Sequence, residues 1–137
     1  MFARRKKATP IKSLDELDPL VASGKPVLID FMQMGCAPCR VMDGIMNELA
    51  AEYPDSAHVV KIDVAKVPGA AEKFNVRSTP TFVLLGRPQP KNSAKSKKAN
   101  RNKPNSRNKV TSRWRANGLI PKDQISRVLE SNGARPS

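Results

Sequence analysis

Aromatic residues are scarce in this chain: four Phe, one Trp and one Tyr in 137 positions. Cysteine and histidine are scarcer, at two and one. No apolar run comes near the roughly 20 residues needed to cross a bilayer as a helix. The shortage of cysteine and histidine removes two classes of protein. Two cysteines cannot build the multi-bridge framework of small secreted domains. Two cysteines and the single His58 fall short of the four ligands of a structural zinc site. A metal centre would need a second chain, so neither a metal nor another cofactor is expected. The first residues, Met1-Phe2-Ala3-Arg4-Arg5-Lys6-Lys7, are basic but have no apolar segment, which speaks against a secretory signal. They are acid-poor, as transit peptides are, though short for one. The expected location is a reducing intracellular compartment: cytoplasm or an organelle matrix, the mitochondrion included.

Acidic residues are also few, 12 against 25 Lys and Arg, for a net charge of +13. The imbalance is local. Residues 1–7 hold four cations and residues 87–115 hold eleven, and neither stretch contains an acid. Set against +13, these leave the rest of the chain at −2. The length suits one domain. The expected organisation is a basic, flexible arm (1–9), a domain over 10–133 interrupted by a basic low-complexity insertion (87–109), and a short tail (134–137).

Hydrophobic periodicity outlines the domain. Ser13-Leu14-Asp15-Glu16 has capping-box spacing, and Leu14, Leu17, Leu20 and Val21 follow as an apolar stripe ended by Gly24. Pro19 either interrupts that helix or opens a second turn. Val27–Met32 is apolar on both faces apart from Asp30, the pattern of a central strand. A helix over residues 36–53 carries Val41, Met42, Ile45, Met46, Leu49 and Tyr53 inward and stops at Pro54. Gly44 in its middle suggests a bend or a close contact. A strand over 59–64, a short helix opened by Pro68, and a strand over 81–85 follow. After the insertion come a strand from Val110 to about Ala116 and a helix from Pro121 to Ser131. The order is that of an α/β fold in three layers, a central mixed sheet flanked by helices.

Both cysteines lie in Gly35-Cys36-Ala37-Pro38-Cys39-Arg40, between a strand and a helix. At a helix N-terminus the Cys36 sulfur meets unpaired N–H groups and the positive end of the dipole, which favour thiolate. Cys39, one turn on, faces the same side. Pro38 fits the first turn, where no N–H donor is needed. This is the arrangement of a redox dithiol, in which one thiolate attacks a disulfide and the second thiol resolves the adduct. Half of a metal site and an inert pair are the alternatives. Asp30, the lone charge in a buried strand, is either a proton acceptor for the resolving thiol or a strand-end acid, paired with Lys25 or Lys61 or partly solvated. In Arg77-Ser78-Thr79-Pro80-Thr81 the proline opens a strand, and an X-Pro bond there can be cis.

Taken together, these residues resemble the thioredoxin family over about residues 11–86 and 110–133. The resemblance rests on Val27-Leu28-Ile29-Asp30-Phe31, the Cys36-Ala37-Pro38-Cys39 loop, Val76-Arg77-Ser78-Thr79-Pro80-Thr81 and Asn117-Gly118-Leu119. It implies a thiol–disulfide oxidoreductase acting on protein disulfides. Cys36, Cys39 and Asp30 would be catalytic, and Gly35, Ala37 and Pro38 would shape the loop. Thr79, cis-Pro80 and Gly118 would receive substrate. The chain departs from the family pattern where Gly35 replaces the aromatic before the first cysteine, where Met32 occupies the upstream aromatic position, and where Gly44 replaces the helix proline.

The family pattern has no place for residues 87–109. Lys and Arg spaced by Asn, Ser and Pro suit sequence-blind phosphate contacts. A second reading is therefore a structural subunit of a ribonucleoprotein, such as a mitochondrial ribosome. Arg4, Arg5, Lys6, Lys7, Lys95, Lys97, Lys98, Arg101, Lys103, Arg107 and Lys109 would hold RNA, and Trp114 would stack on a base or pack on its strand. An acidic protein, an anionic membrane or no ligand at all are further options for the insertion. Outside any assembly the chain is expected to be monomeric.

Overall fold

The computed structural model describes residues 6–87 and 111–137. The order is β1 (Thr9–Ile11), a 3₁₀ turn (Leu14–Glu16), α1 (Leu17–Ala22), β2 (Val27–Met32), α2 (Ala37–Glu52) and β3 (His58–Asp63). There follow α3 (Ala70–Lys73), β4 (Thr81–Gly86), β5 (Thr111–Asn117) and α4 (Lys122–Ser131). The strands form one mixed sheet in the order β1-β3-β2-β4-β5. β3 runs parallel to β1 and β2, whereas β4 runs antiparallel to both β2 and β5.

Alternation along the strands splits the core in two. On one face Leu28, Val59, Phe82 and Leu84 meet Met42, Met46 and Leu49 of α2 and Ile125 and Leu129 of α4. On the other, Val27, Ile29, Phe31, Val60, Ile62 and Val83 meet Leu17, Val67 and Ala70, with Leu14, Leu20, Val21 and Phe74 at the margin. These are the three layers expected. Burying a large apolar side chain fully contributes about 1.5–3 kcal/mol, so the β2 run Val27-Leu28-Ile29, buried throughout, makes that strand the centre of the domain. Trp114 is half-buried against the first cluster, beside its register partner Leu84.

Some local expectations shift. The Ser13 capping box forms, with Ser13 Oγ accepting from the Asp15 N–H and Glu16 Oε2 from the Ser13 N–H, but it caps the 3₁₀ turn. Pro19 falls in the first turn of α1, where its missing N–H costs nothing. Gly24, at φ +82°, takes the chain out of α1 through the left-handed region. Pro68 does not open a helix. It lies in the turn before α3, whose four residues start at Ala70 after Gly69 as N-cap. Val41 points outward and is exposed, because it sits about 100° around α2 from Met42. The stripe of α2 is carried by Met42, Met46, Leu49 and Tyr53, with Ile45 at its edge.

No close contact accounts for Gly44. It is exposed, and a Cβ placed on it meets nothing within 4 Å. Gly44→Ala is therefore expected to stabilise the protein by about 1 kcal/mol, the helix-propensity difference between the two residues. Urea unfolding of the oxidised protein measures it, and a lowered midpoint would show that this helix needs the glycine.

At the C-terminus the chain packs against the end of α2 and the loop that follows it. Ala134 is buried, the Arg135 N–H bonds Ser56 Oγ, and the Ser137 N–H reaches the Glu52 carbonyl. At the other end Ala8 is buried and its N–H donates to Asn47 Oδ1.

Candidate active site

Sheet topology gathers the site at one end of the sheet. The loop holding Cys36 leaves the C-terminal end of β2. The Thr79-Pro80 turn enters the N-terminal end of β4, where Thr81 is the register partner of Phe31. Gly118 leaves β5 just past Asn117, the register partner of Thr81. Segments distant in sequence thus converge because β4 runs antiparallel to its two neighbours.

Cys36 is the N-cap of α2 (φ −94°, ψ 109°). Its Sγ accepts the Cys39 N–H at 3.2 Å, and its carbonyl accepts the Arg40 N–H. Sulfur replaces the oxygen that Ser or Asp usually offers at this position, and the same donor that caps the helix would stabilise a thiolate there. Cys36 and Cys39 form a disulfide with their Cα atoms 5.2 Å apart, inside the range such a bridge allows. The two sulfurs are not equivalent. Cys36 is half-buried, whereas Cys39 is only 4% exposed. Pro38 falls in the first helical turn, and Gly35, at φ +81°, turns the chain into the helix. Ala37, Pro38 and Gly35 are all exposed.

The Thr79-Pro80 bond is cis. The Thr79 carbonyl oxygen lies 3.6 Å from Cys36 Sγ, and Pro80 is buried. The Pro80 carbonyl accepts the Gly118 N–H at 2.9 Å, and Thr81 Oγ1 donates to the Ser78 carbonyl at 2.6 Å. The turn is thereby fastened to β5 beside the disulfide. Gly118 has φ +85° and open space where a Cβ would stand, so its place follows from backbone conformation.

Asp30 is fully buried in β2, and neither carboxylate oxygen has a hydrogen-bond partner among the described residues. It shares the α2-covered face with Leu28. Burial pushes its pKa up to about 7, Asp43 adds to the rise, and Lys61 opposes it. Pairing with Lys25 or Lys61 is not what the structure shows. Lys61 is the register neighbour of Asp30 on β3, yet its ammonium bonds Asp43 Oδ1 at 3.1 Å. Asp43 is a site residue that the sequence reading misses. The available signal is its spacing four residues after Cys39, which puts it on the same face of α2. Met34, Val41 and Leu119 are missed as well. All three are exposed large apolar residues, and each is within two residues of Cys36, Cys39 or Gly118.

His58 lies at the opposite end of the sheet, paired in register with the first residue of β2. Its Nε2 is 3.0 Å from Ser23 Oγ, and burial, with Lys25 and Lys6 nearby, holds its pKa below the ordinary value. Among the described residues no group of three or more His, Cys, Asp or Glu converges as a metal site, and no helix is long and apolar enough to cross a membrane. Of the proposed RNA contacts, Lys6 and Lys7 are exposed, with Lys6 Nζ donating to the Pro54 carbonyl. Arg4, Arg5, Lys95, Lys97, Lys98, Arg101, Lys103, Arg107 and Lys109 lie outside the described residues.

Comparison with known proteins points one way. The thioredoxin family model matches residues 10–110. Chloroplastic thioredoxin Y2 of Arabidopsis thaliana is 42% identical over 85 residues, covering 62% of this chain and 50% of the relative. A thioredoxin-like protein of Synechocystis is 39% identical over 71 residues, covering 52% and 68%. The chain spans about half the length of the plant relatives it matches. Among solved structures, a point-mutant thioredoxin from Halobacterium salinarum superposes with a TM-score of 0.69 at 23% identity, covering 96% of each chain. A Malassezia sympodialis thioredoxin gives 0.70 at 18% identity, with the same coverage of each. These two likenesses show the fold.

Proposed function

Since this chain belongs to the thioredoxin family, we propose that it is a thiol–disulfide oxidoreductase that reduces disulfides of other proteins through Cys36 and Cys39. One observation carries the reading. A partly buried cysteine at the N-cap of α2 is bonded to a buried one a turn on, beside the Thr79 carbonyl.

The asymmetry supports a division of roles. Cys36 is the sulfur a substrate can reach, and helix N–H groups stabilise its thiolate. In the reduced protein that thiolate attacks one sulfur of a substrate disulfide. A Cys36–substrate disulfide forms, and the other substrate sulfur leaves as a thiolate that takes up a proton. Cys39 then gives its proton to Asp30 and attacks Cys36 Sγ. The second substrate sulfur leaves. The substrate has gained two electrons, and the protein ends with the Cys36–Cys39 disulfide. A thiol reductant restores the dithiol. An acid with a pKa near 7 suits this transfer, since general bases work best when matched to the working pH. Thr79 would offer its backbone to an extended substrate segment, with Pro80 and Gly118 shaping the groove. Exposed Met34, Val41 and Leu119 would give that groove an apolar rim in place of the missing aromatic wall.

Turbidity from insulin reduction by dithiothreitol tests this. The protein should accelerate it well above dithiothreitol alone, and Cys36→Ser should return the rate to background. Equal rates for wild type and Cys36→Ser would sink the reading.

The compartment we infer is a reducing intracellular one, in line with the chloroplastic and cyanobacterial relatives. A mitochondrial address rests on the basic N-terminus alone. The ribonucleoprotein reading rests on the charge of two acid-free stretches, four cations over residues 1–7 and eleven over residues 87–115. It is compatible with a working dithiol, because the basic segment and the Cys36 loop are separate parts of the chain.

A further inference from the structure

Asp30 and Lys61 are register neighbours on adjacent parallel strands, and alternation puts both side chains on the face that α2 covers. A buried carboxyl with no hydrogen bond beside a lysine stem is ordinarily a pair waiting to close. Here it stays open. Lys61 Nζ lies 3.1 Å from Asp43 Oδ1 on α2, in a pair that is partly exposed on both sides. Both Asp30 oxygens remain without a partner.

We infer that Asp43 is a positioning residue for proton transfer at the dithiol: it holds the Lys61 ammonium away from the Asp30 carboxyl. The inference rests on the oxidoreductase reading above and names a residue through which that site is tuned. Asp43 acts in two ways. Its own charge opposes ionisation of Asp30, and its bond to Lys61 diverts the cation that would favour ionisation. Both raise the proton affinity of the buried acid. A lysine bonded to Asp30 would instead give a carboxylate too weakly basic to take a thiol proton.

Among the described residues the charged and titratable groups around Asp30 are few. α2 contributes Asp43 and, once reduced, Cys36 and Cys39. β3 contributes Lys61 and, two residues on, Asp63, whose Oδ1 accepts the Ala65 N–H. On β4 the register partner is Phe82, which is uncharged. The cluster is therefore small enough to take apart by substitution.

The test is the Asp30 carboxyl ¹³C shift followed against pH in the oxidised full-length chain. Four proteins are compared: wild type, Asp43→Asn, Lys61→Met and the double variant. Asp43→Asn should lower the Asp30 midpoint by about one pH unit, roughly tenfold in proton affinity, as an approaching cation does. Lys61→Met should raise it. In the Lys61→Met background, Asp43→Asn should lower it by less than half as much, because only the direct repulsion is left to remove. Equal shifts in both backgrounds would mean that Asp43 acts by its own charge alone, and would overturn the inference. So would a midpoint that Asp43→Asn leaves unmoved. Asp43→Ala, which favours the helix, should behave like Asp43→Asn and guards against an effect of the new amide. In insulin reduction the acidic limb of the pH–rate profile should move down with the Asp30 midpoint. A limb that stays put while the midpoint moves would remove Asp43 from proton transfer. Failure of the oxidoreductase reading looks different: wild type would not reduce insulin, whatever the carboxyl titration shows.

Discussion

Asp30→Asn is expected to remove a pH-dependent loss of stability on the order of 4 kcal/mol. The folded protein holds the Asp30 pKa at about 7, against 3.8 for the unperturbed group, and each unit corresponds to about 1.4 kcal/mol. The sign follows from proton counts. Between pH 4 and 7 the folded chain keeps a proton on Asp30 that the unfolded chain has released. Stability from this group is therefore complete below the unfolded pKa and is lost as pH rises to the folded one. Above pH 7 the native state carries a buried, unpartnered carboxylate. Urea unfolding of both oxidised proteins at pH 4 and pH 8.5 measures the effect. The amide carries its own burial cost, but that cost is the same at both values. The informative quantity is the change between the two pH values, wild type against variant. Wild type should lose several kcal/mol more than Asp30→Asn. Parallel losses would show that Asp30 ionises in the folded state as freely as in the unfolded one. If the prediction holds, the protein tolerates a large cost at its centre, as functional sites commonly do.

The second large effect concerns the division of labour between the cysteines. Cys39→Ser should convert a transient intermediate into a lasting product, a disulfide between Cys36 and the substrate. Resolution by Cys39 is intramolecular, and effective molarities for well-placed groups reach about 10⁵ M and above. An external thiol at millimolar concentration is a poor replacement, so release should slow by at least about a thousandfold. Reduced Cys39→Ser mixed with an oxidised protein substrate should show a covalent adduct on a non-reducing gel that dithiothreitol removes. Cys36→Ser should show none, because Cys39 is only 4% exposed. Adducts of equal yield from both variants would contradict the assignment of roles.

Much of the fold was legible because its determinants are local. The doubly covered strand over residues 27–32 is written in a run of β-formers. The start of α2 is written in the order strand, Cys36, Pro38, and its end in Pro54. The mixed character of the sheet followed from element order. The errors have local causes too. Val41 is apolar but lies off the buried stripe. Pro68 has the chemistry of a first turn, yet the left-handed Gly69 intervenes before the helix starts. Gly44 suggested a bend or a close contact, and of these the close contact is absent, with open space where a Cβ would stand.

The site divides in the same way. Its dithiol and its buried acid are singular in the sequence, a close pair of cysteines and one charge in an apolar strand, and could be named without coordinates. Pro80 was named only through the family resemblance, since Pro26 also precedes a strand. From the sequence alone came the residue types and the spacing that makes Cys36 a helix cap. The tertiary structure decided which sulfur faces outward, that the Thr79 carbonyl stands beside it, and that Lys61 pairs with Asp43 and not with Asp30. The physical reason is range. Helix starts and strand faces are set by residues within a turn or two of one another. Exposure and ion pairing are set by whichever segments the sheet order brings together, and that order arises from burying both faces of β2 at once.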